Sequence, residues 1–147
     1  MSVVAWDGRT LAADKQATHA SKICVCTKIR RLDTGEVLAW TGAMGPGLAM
    51  AKWYENGADL EKWPKSQENK DDWSRLIVAS AAGVITYEQY PVALPCEDRF
   101  MAWGAGCDFA VGAMAYGASA ESAVQIAIRF SDGCGCGIDV FTVRTGA

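Results

Sequence analysis

Residues able to do chemistry gather at the start of the chain, where Ser2 and Asp14 bracket two short apolar runs, Val3 to Trp6 and Thr10 to Ala13, joined through Asp7-Gly8. An Asp-Gly step between strand-like runs predicts a tight hairpin. Centred on Gly8, that hairpin sets Ser2 across from Asp14. With the initiator Met1 removed, Ser2 carries an amine and a hydroxyl on one residue with a carboxylate opposite, the parts of a nucleophile activated by its own chain terminus. The same residues suit an ordinary core or edge hairpin, so the spacing alone leaves the chemistry open.

The composition narrows the classes around that feature. The 147 residues suit one domain, residues 1–147, long enough to bury a sizeable core. Fourteen basic and seventeen acidic side chains give a formal charge of −3, with no basic stripe of the kind nucleic acid requires. A hydrophobic fraction of 50% against 21% charged is apolar for a lone domain and leaves room for contacts between subunits. No basic-plus-apolar signal segment or membrane-length apolar run occurs, so a cytoplasmic protein is the expectation. Of the six cysteines, Cys24 with Cys26 and Cys134 with Cys136 are each spaced too closely for a usual zinc knuckle. Neither a metal nor a cofactor is expected.

Several further elements are needed to position the hairpin. Lys15 to Ser21 reads as a polar connection and Lys22 to Lys28 as a short strand. Ile29 to Leu32 and Glu36 to Thr41 make a second hairpin around Asp33-Thr-Gly35. The Gly42 to Gly47 turn leads into a helix from Leu48 to Asn56. Such a turn offers backbone amides to an anion, but it lacks the lysine and hydroxyl of a phosphate loop. Ala58 to Asp72 reads as a polar connection tacked down by Trp63 and Trp73. Ser74 to Ala79 pairs with Val84 to Glu88, Pro91 and Pro95 then break the regularity, and Phe100 to Trp103 forms another strand. Helices follow from Cys107 to Tyr116 and, capped by Ser119, to Phe130. The Ser131 to Gly137 turn precedes a closing strand, Ile138 to Val143. Adjacent hairpins with helices outside them predict an α+β fold of stacked, mainly antiparallel layers rather than a doubly wound parallel sheet.

Trp6-Asp-Gly, Leu11-Ala-Ala-Asp14, Lys28-Ile-Arg-Arg-Leu32, the Gly42 to Gly47 turn, Trp103-Gly-Ala-Gly106 and the late glycine-rich turn occur in one order across nearly the whole chain. Together they resemble the proteasome β subunits and the bacterial HslV peptidase, within the N-terminal nucleophile hydrolases. The resemblance implies a four-layer α-β-β-α sandwich and a ring-shaped homo-oligomer whose chamber hydrolyses peptide or unfolded protein, with an ATPase unfoldase as candidate partner. It places the nucleophile at Ser2 in place of the family threonine, the buried aspartate at Asp14 and the catalytic lysine at Lys28. The oxyanion amide falls at Gly42 or Ala43. An α-amine with a reference pKa of about 8 is a usable base near neutral pH.

The chain also departs from the family pattern. The serine that supports the terminal amine in relatives is matched by Ala105, and the late residues that brace the terminus fall at Ser131, Asp132 and Cys134. Free-amine chemistry at Ser2 requires the loss of Met1. Two other readings therefore stand beside the peptidase: a catalytically inactive, ring-forming structural or interaction protein of the same fold, and a non-proteolytic amide hydrolase. The lone histidine, His19, lies in a polar connection and suits solvent or substrate contact better than general-base work.

Overall fold

A computed structural model describes residues 2–143; the expected loss of Met1 lies outside the described residues. The first hairpin pairs β1 (Val4–Trp6) with β2 (Thr10–Asp14), but one residue away from the register expected from a centre at Gly8. Val4 faces Ala13 and Trp6 faces Leu11, and Asp14 N–H donates to the Val3 carbonyl, so Val3 and not Ser2 lies across from Asp14. The turn is centred between Gly8 and Arg9, with the positive φ of 94° at Gly8. Glycine at the first central position is the type II′ arrangement, whose twist suits a hairpin. Asp7, just before the turn, accepts from Arg9 and Thr10 N–H through Oδ1 and from Ala120 N–H through Oδ2. It thereby ties the hairpin tip to the start of a distant helix.

The remaining strands are β3 (Gln16–His19), β4 (Lys22–Val25), β5 (Ile29–Arg31), β6 (Val37–Gly42), β7 (Ser74–Ser80), β8 (Gly83–Tyr87), β9 (Leu94–Cys96), β10 (Met101–Trp103) and β11 (Ile138–Thr142). The helices are α1 (Met44–Glu55), α2 (Cys107–Ala115) and α3 (Ala120–Phe130). One sheet runs β10-β1-β2-β11, a second runs β5-β6-β7-β8-β9, and β3 pairs with β4 as a separate ribbon. All of these pairings are antiparallel.

Strand periodicity explains the layering. Val4, Trp6, Leu11 and Ala13 meet Val37, Ala39, Ile77 and Ala79 between the two sheets. The alternate residues Val3, Ala5 and Ala12 pack beneath α2 and α3, and Leu38, Trp40, Leu76 and Val78 pack against α1. Strands covered on both faces must be apolar at successive positions, which is why β1 and β6 read as continuous apolar runs. The result is the expected four-layer α-β-β-α sandwich. Three fully buried alanines of α3, Ala120, Ala123 and Ala127, together with Ala110 of α2, let the helices approach the sheet closely.

The structure revises three local expectations. Gln16 to His19 is a strand rather than a connection, because its backbone pairs with β4 and Ala20 takes a positive φ of 54° at the bend. Helix α1 begins at Met44, not Leu48: Pro46 falls in its first turn, where its missing N–H costs nothing. Pro95 lies within β9, at the edge of the second sheet, where a strand tolerates proline.

Gly47 fits α1 onto its sheet. A Cβ there would sit 2.3 Å from Cδ1 of Trp40, which is itself almost wholly buried. Gly47→Ala should therefore lower stability by about 1–3 kcal/mol through overpacking. Gly112→Ala, in open space on α2, should instead raise it by about 0.5–1 kcal/mol. Urea unfolding midpoints of the two variants check the contrast.

Candidate active site

Asp14 ends β2 with no exposed surface, and every partner it has is a donor. Oδ1 accepts from Val3 N–H at 3.0 Å and from Lys28 Nζ at 2.5 Å. Oδ2 accepts from Gln16 N–H at 3.2 Å and Gly135 N–H at 3.0 Å. Lys28, immediately before β5, is also buried, and its second donor goes to the Gln16 carbonyl at 2.8 Å. An ammonium has three N–H donors; no partner for the third occurs among the described residues.

Ser2 lies at the head of the same hairpin. It is 2% exposed, and its Oγ has no hydrogen-bond partner among the described residues. Its carbonyl accepts from Gly106 N–H. The backbone passes so close to Gly104 that a Cβ at that position would fall within 2.3 Å of the Ser2 carbonyl oxygen, and Gly104 adopts a φ of 96°. Gly106 leaves room for Val3, Ala127 and the Cys134 sulfur. The Trp103-Gly-Ala-Gly106 motif is thus the seat on which the first residues rest.

Two cavities meet at Gly42. A cleft of about 460 Å³ is lined by Gln16, Thr18, His19, Lys28, Ala43 and Met44, among others. A second, of about 300 Å³, is lined by Ser2, Thr41, Trp73, Arg75, Gly104 and Ala105. Gly42 ends β6 and Ala43 is the N-cap of α1, so the Ala43 amide stands at a helix N-terminus, where negative charge is favoured, with the Gly42 amide just before it. His19 lines the first cleft from β3.

The late turn enters the site mainly through its backbone. Ser131 Oγ accepts from Gly133 N–H, and the Asp132 carbonyl accepts from Gln16 Nε2. Cys134 is buried against the seat of the first strand. No hydrogen bond from these three side chains to Ser2 occurs among the described residues. Burial and then the nearby Asp14 carboxylate push the Cys134 thiol up, so it stays protonated near neutral pH. The Cys26 thiol is also raised by burial, with Lys28 acting in the opposite direction. No cluster of three or more His, Cys, Asp or Glu side chains suited to a metal ion occurs among the described residues. Likewise, no helix among them is long and apolar enough to cross a membrane.

Sequence reasoning missed Gln16 and Gly135. Each contributes a backbone group to the Asp14–Lys28 pair, and residue type gives no signal of a backbone hydrogen bond.

No protein-family model matches the chain, and no curated protein sequence does. Solved structures do match along its full length. Thiobacillus denitrificans BPH in complex with epoxomicin aligns with a TM-score of 0.75 at 20% identity, covering 100% of both chains. Another structure of Thiobacillus denitrificans BPH gives 0.74 at 20% identity over 99% of each chain. Eukaryotic HslV from Trypanosoma brucei gives 0.70 at 21% identity, covering 96% of this chain and 97% of its own. The chain has the fold of the HslV and proteasome β-type N-terminal nucleophile hydrolases.

The buried pair supports a stability prediction. Lys28→Met leaves the Asp14 carboxylate buried without its counter-charge and should cost about 3–5 kcal/mol. Asp14→Ala, which strands Lys28 and three backbone N–H donors, should cost at least as much. Urea titrations followed by tryptophan fluorescence read both losses; a change below about 1 kcal/mol in Lys28→Met would contradict the assigned coupling.

Proposed function

We propose that this chain is an N-terminal-serine peptidase of the HslV and proteasome β kind, acting as a homo-oligomeric ring on peptide or unfolded protein. The observation that carries the reading is the buried, unpartnered Ser2 hydroxyl at the head of the hairpin that ends in the Asp14–Lys28 pair. Family relationship to HslV and BPH, cytoplasmic location and an ATPase unfoldase partner belong to the same proposal, as does a single catalytic domain spanning residues 1–147. It requires no cofactor.

After removal of Met1, the Ser2 amine takes the proton from Oγ as Oγ attacks the peptide carbonyl. Lys28 supplies positive potential that favours the developing alkoxide, and Asp14 holds that ammonium in place. The oxyanion forms near the Gly42 and Ala43 amides, at the head of α1. Collapse breaks the C–N bond, the amine's extra proton passes to the departing nitrogen, and an ester remains on Ser2. Water then adds to the ester, giving its proton to the amine; the acyl C–Oγ bond breaks, the amine returns that proton to Oγ, and the carboxylic acid product leaves. Ala105, which has no hydroxyl to brace the amine, favours the second reading of a ring-forming scaffold without turnover.

Intact mass and peptide turnover together separate the two. The peptidase reading expects loss of Met1 from the expressed protein, turnover by the assembled protein, and a fall of at least about 100-fold in Ser2→Ala with Ser2→Thr active. Uniform retention of Met1 in an active preparation would exclude the terminal-amine mechanism. Absence of turnover with Met1 gone and the assembly intact would favour the scaffold.

A further inference from the structure

Gln67 lies in the connection between α1 and β7, in a short 3₁₀ turn, Lys65–Glu68, yet has no exposed surface. Three of the four hydrogen bonds open to its amide are made. Nε2 donates to the Ser74 carbonyl at 2.5 Å and to the Glu88 carbonyl at 2.7 Å, while Oε1 accepts from Ser74 N–H at 3.0 Å. One side chain therefore grips both backbone groups of Ser74, the first residue of β7, and ties them to the chain just beyond β8.

Ser74 in turn sets the segment that opens α1. It pairs with Gly42 at the end of β6, and its Oγ donates to the Ala43 carbonyl. Gly42 is pressed so closely on this strand that a Cβ would stand 2.7 Å from the Trp73 carbonyl oxygen and 3.0 Å from Ser74 Cα. Movement of Ser74 is thus passed directly to Gly42 and Ala43. Glu88, held by the same amide, also pairs through its carboxylate with Arg75, which lines the cavity beside Ser2.

We propose that Gln67 is a positioning residue, fixing the Gly42 and Ala43 amides through Ser74; its catalytic meaning rests on the reading of those amides as oxyanion donors. Gln67 itself touches no reacting atom. Its burial in an otherwise polar connection follows from this role: a glutamine amide satisfies two carbonyls and one N–H at a point where sheet pairing alone leaves them without partners. A small displacement of an oxyanion donor is costly because the developing charge demands fixed geometry.

The test uses full-length Gln67→Met, which removes all three hydrogen bonds, and Ser74→Ala, which removes only the link to Ala43. In Gln67→Met, amide hydrogen exchange across residues 41–45 should rise about tenfold or more, while residues 4–6 and 11–13 of the other sheet keep wild-type protection. Unchanged exchange across 41–45, or equal loss of protection in both sheets, overturns the proposal. Should Gln67→Met fail to fold, Ser74→Ala carries the same exchange readout across 41–45 with the same two outcomes. In protein that turns over peptide, both variants should lower kcat about 10- to 100-fold with KM within about twofold; unchanged kcat overturns the proposal. Exchange decides the clamp even in a protein without turnover, whereas failure of the peptidase reading shows as inactivity of the wild type.

Discussion

A carboxylate and an ammonium, both shut off from water, hold the two sheets together at one end. Desolvation alone would make either charge untenable, so the pair exists only because its surroundings replace the lost water. Asp14 receives four donors, drawn from the start of β1, the start of β3, the late glycine-rich turn and Lys28. Asp14 closes a strand of the first sheet, and Lys28 leads into the second. The pair therefore fixes the relative position of the sheets where the candidate site opens, and the site inherits its rigidity from the fold.

That constraint explains the close backbone approaches around it. The first residues can lie beside the pair only if Gly104 lets the Ser2 carbonyl pass and Gly106 leaves space for Val3 and Cys134. At the far end of the same hairpin, Asp7 ties the turn to the N-terminus of α3, which Ser119 also caps. The hairpin is thus clamped at both ends, by charge and backbone packing at its open end and by an aspartate at its tip. The backbone of Ser2, at its head, is held there by Gly106 N–H and the close approach of Gly104.

Most strands and both C-terminal helices were legible in the sequence because they rest on alternation, helical spacing and the Ser119 cap, whereas the four-layer order came from the family resemblance. The pairing of the first hairpin was missed by one residue: Asp-Gly suggested a centre at Gly8, whereas glycine at the first central position of a type II′ turn moves the centre to the Gly8–Arg9 bond. The ribbon strand β3 was hidden because three of its four side chains, Gln16, Thr18 and His19, are polar, so its backbone pairing leaves no apolar pattern. The start of α1 was obscured by Gly45, Pro46 and Gly47, which read as a turn although Pro46 fits a first helical turn and Gly47 is demanded by Trp40. Asp14 was singled out by the hairpin spacing and Lys28 by the family resemblance, and the structure joins them directly. Their partners on Gln16 and Gly135, like the clamp at Gln67, depend on backbone groups that meet only after folding.

The proposed nucleophile is Ser2, rather than any other hydroxyl or thiol of the chain. Epoxomicin, present in the complex with Thiobacillus denitrificans BPH, provides the direct measurement: incubation with the assembled protein, followed by peptide mapping of the adduct by mass spectrometry. One adduct is expected on Ser2, in molecules that have lost Met1, and none in Ser2→Ala. An adduct confined to another residue, or an unmodified Ser2 in assembled protein from which Met1 is gone, would contradict it.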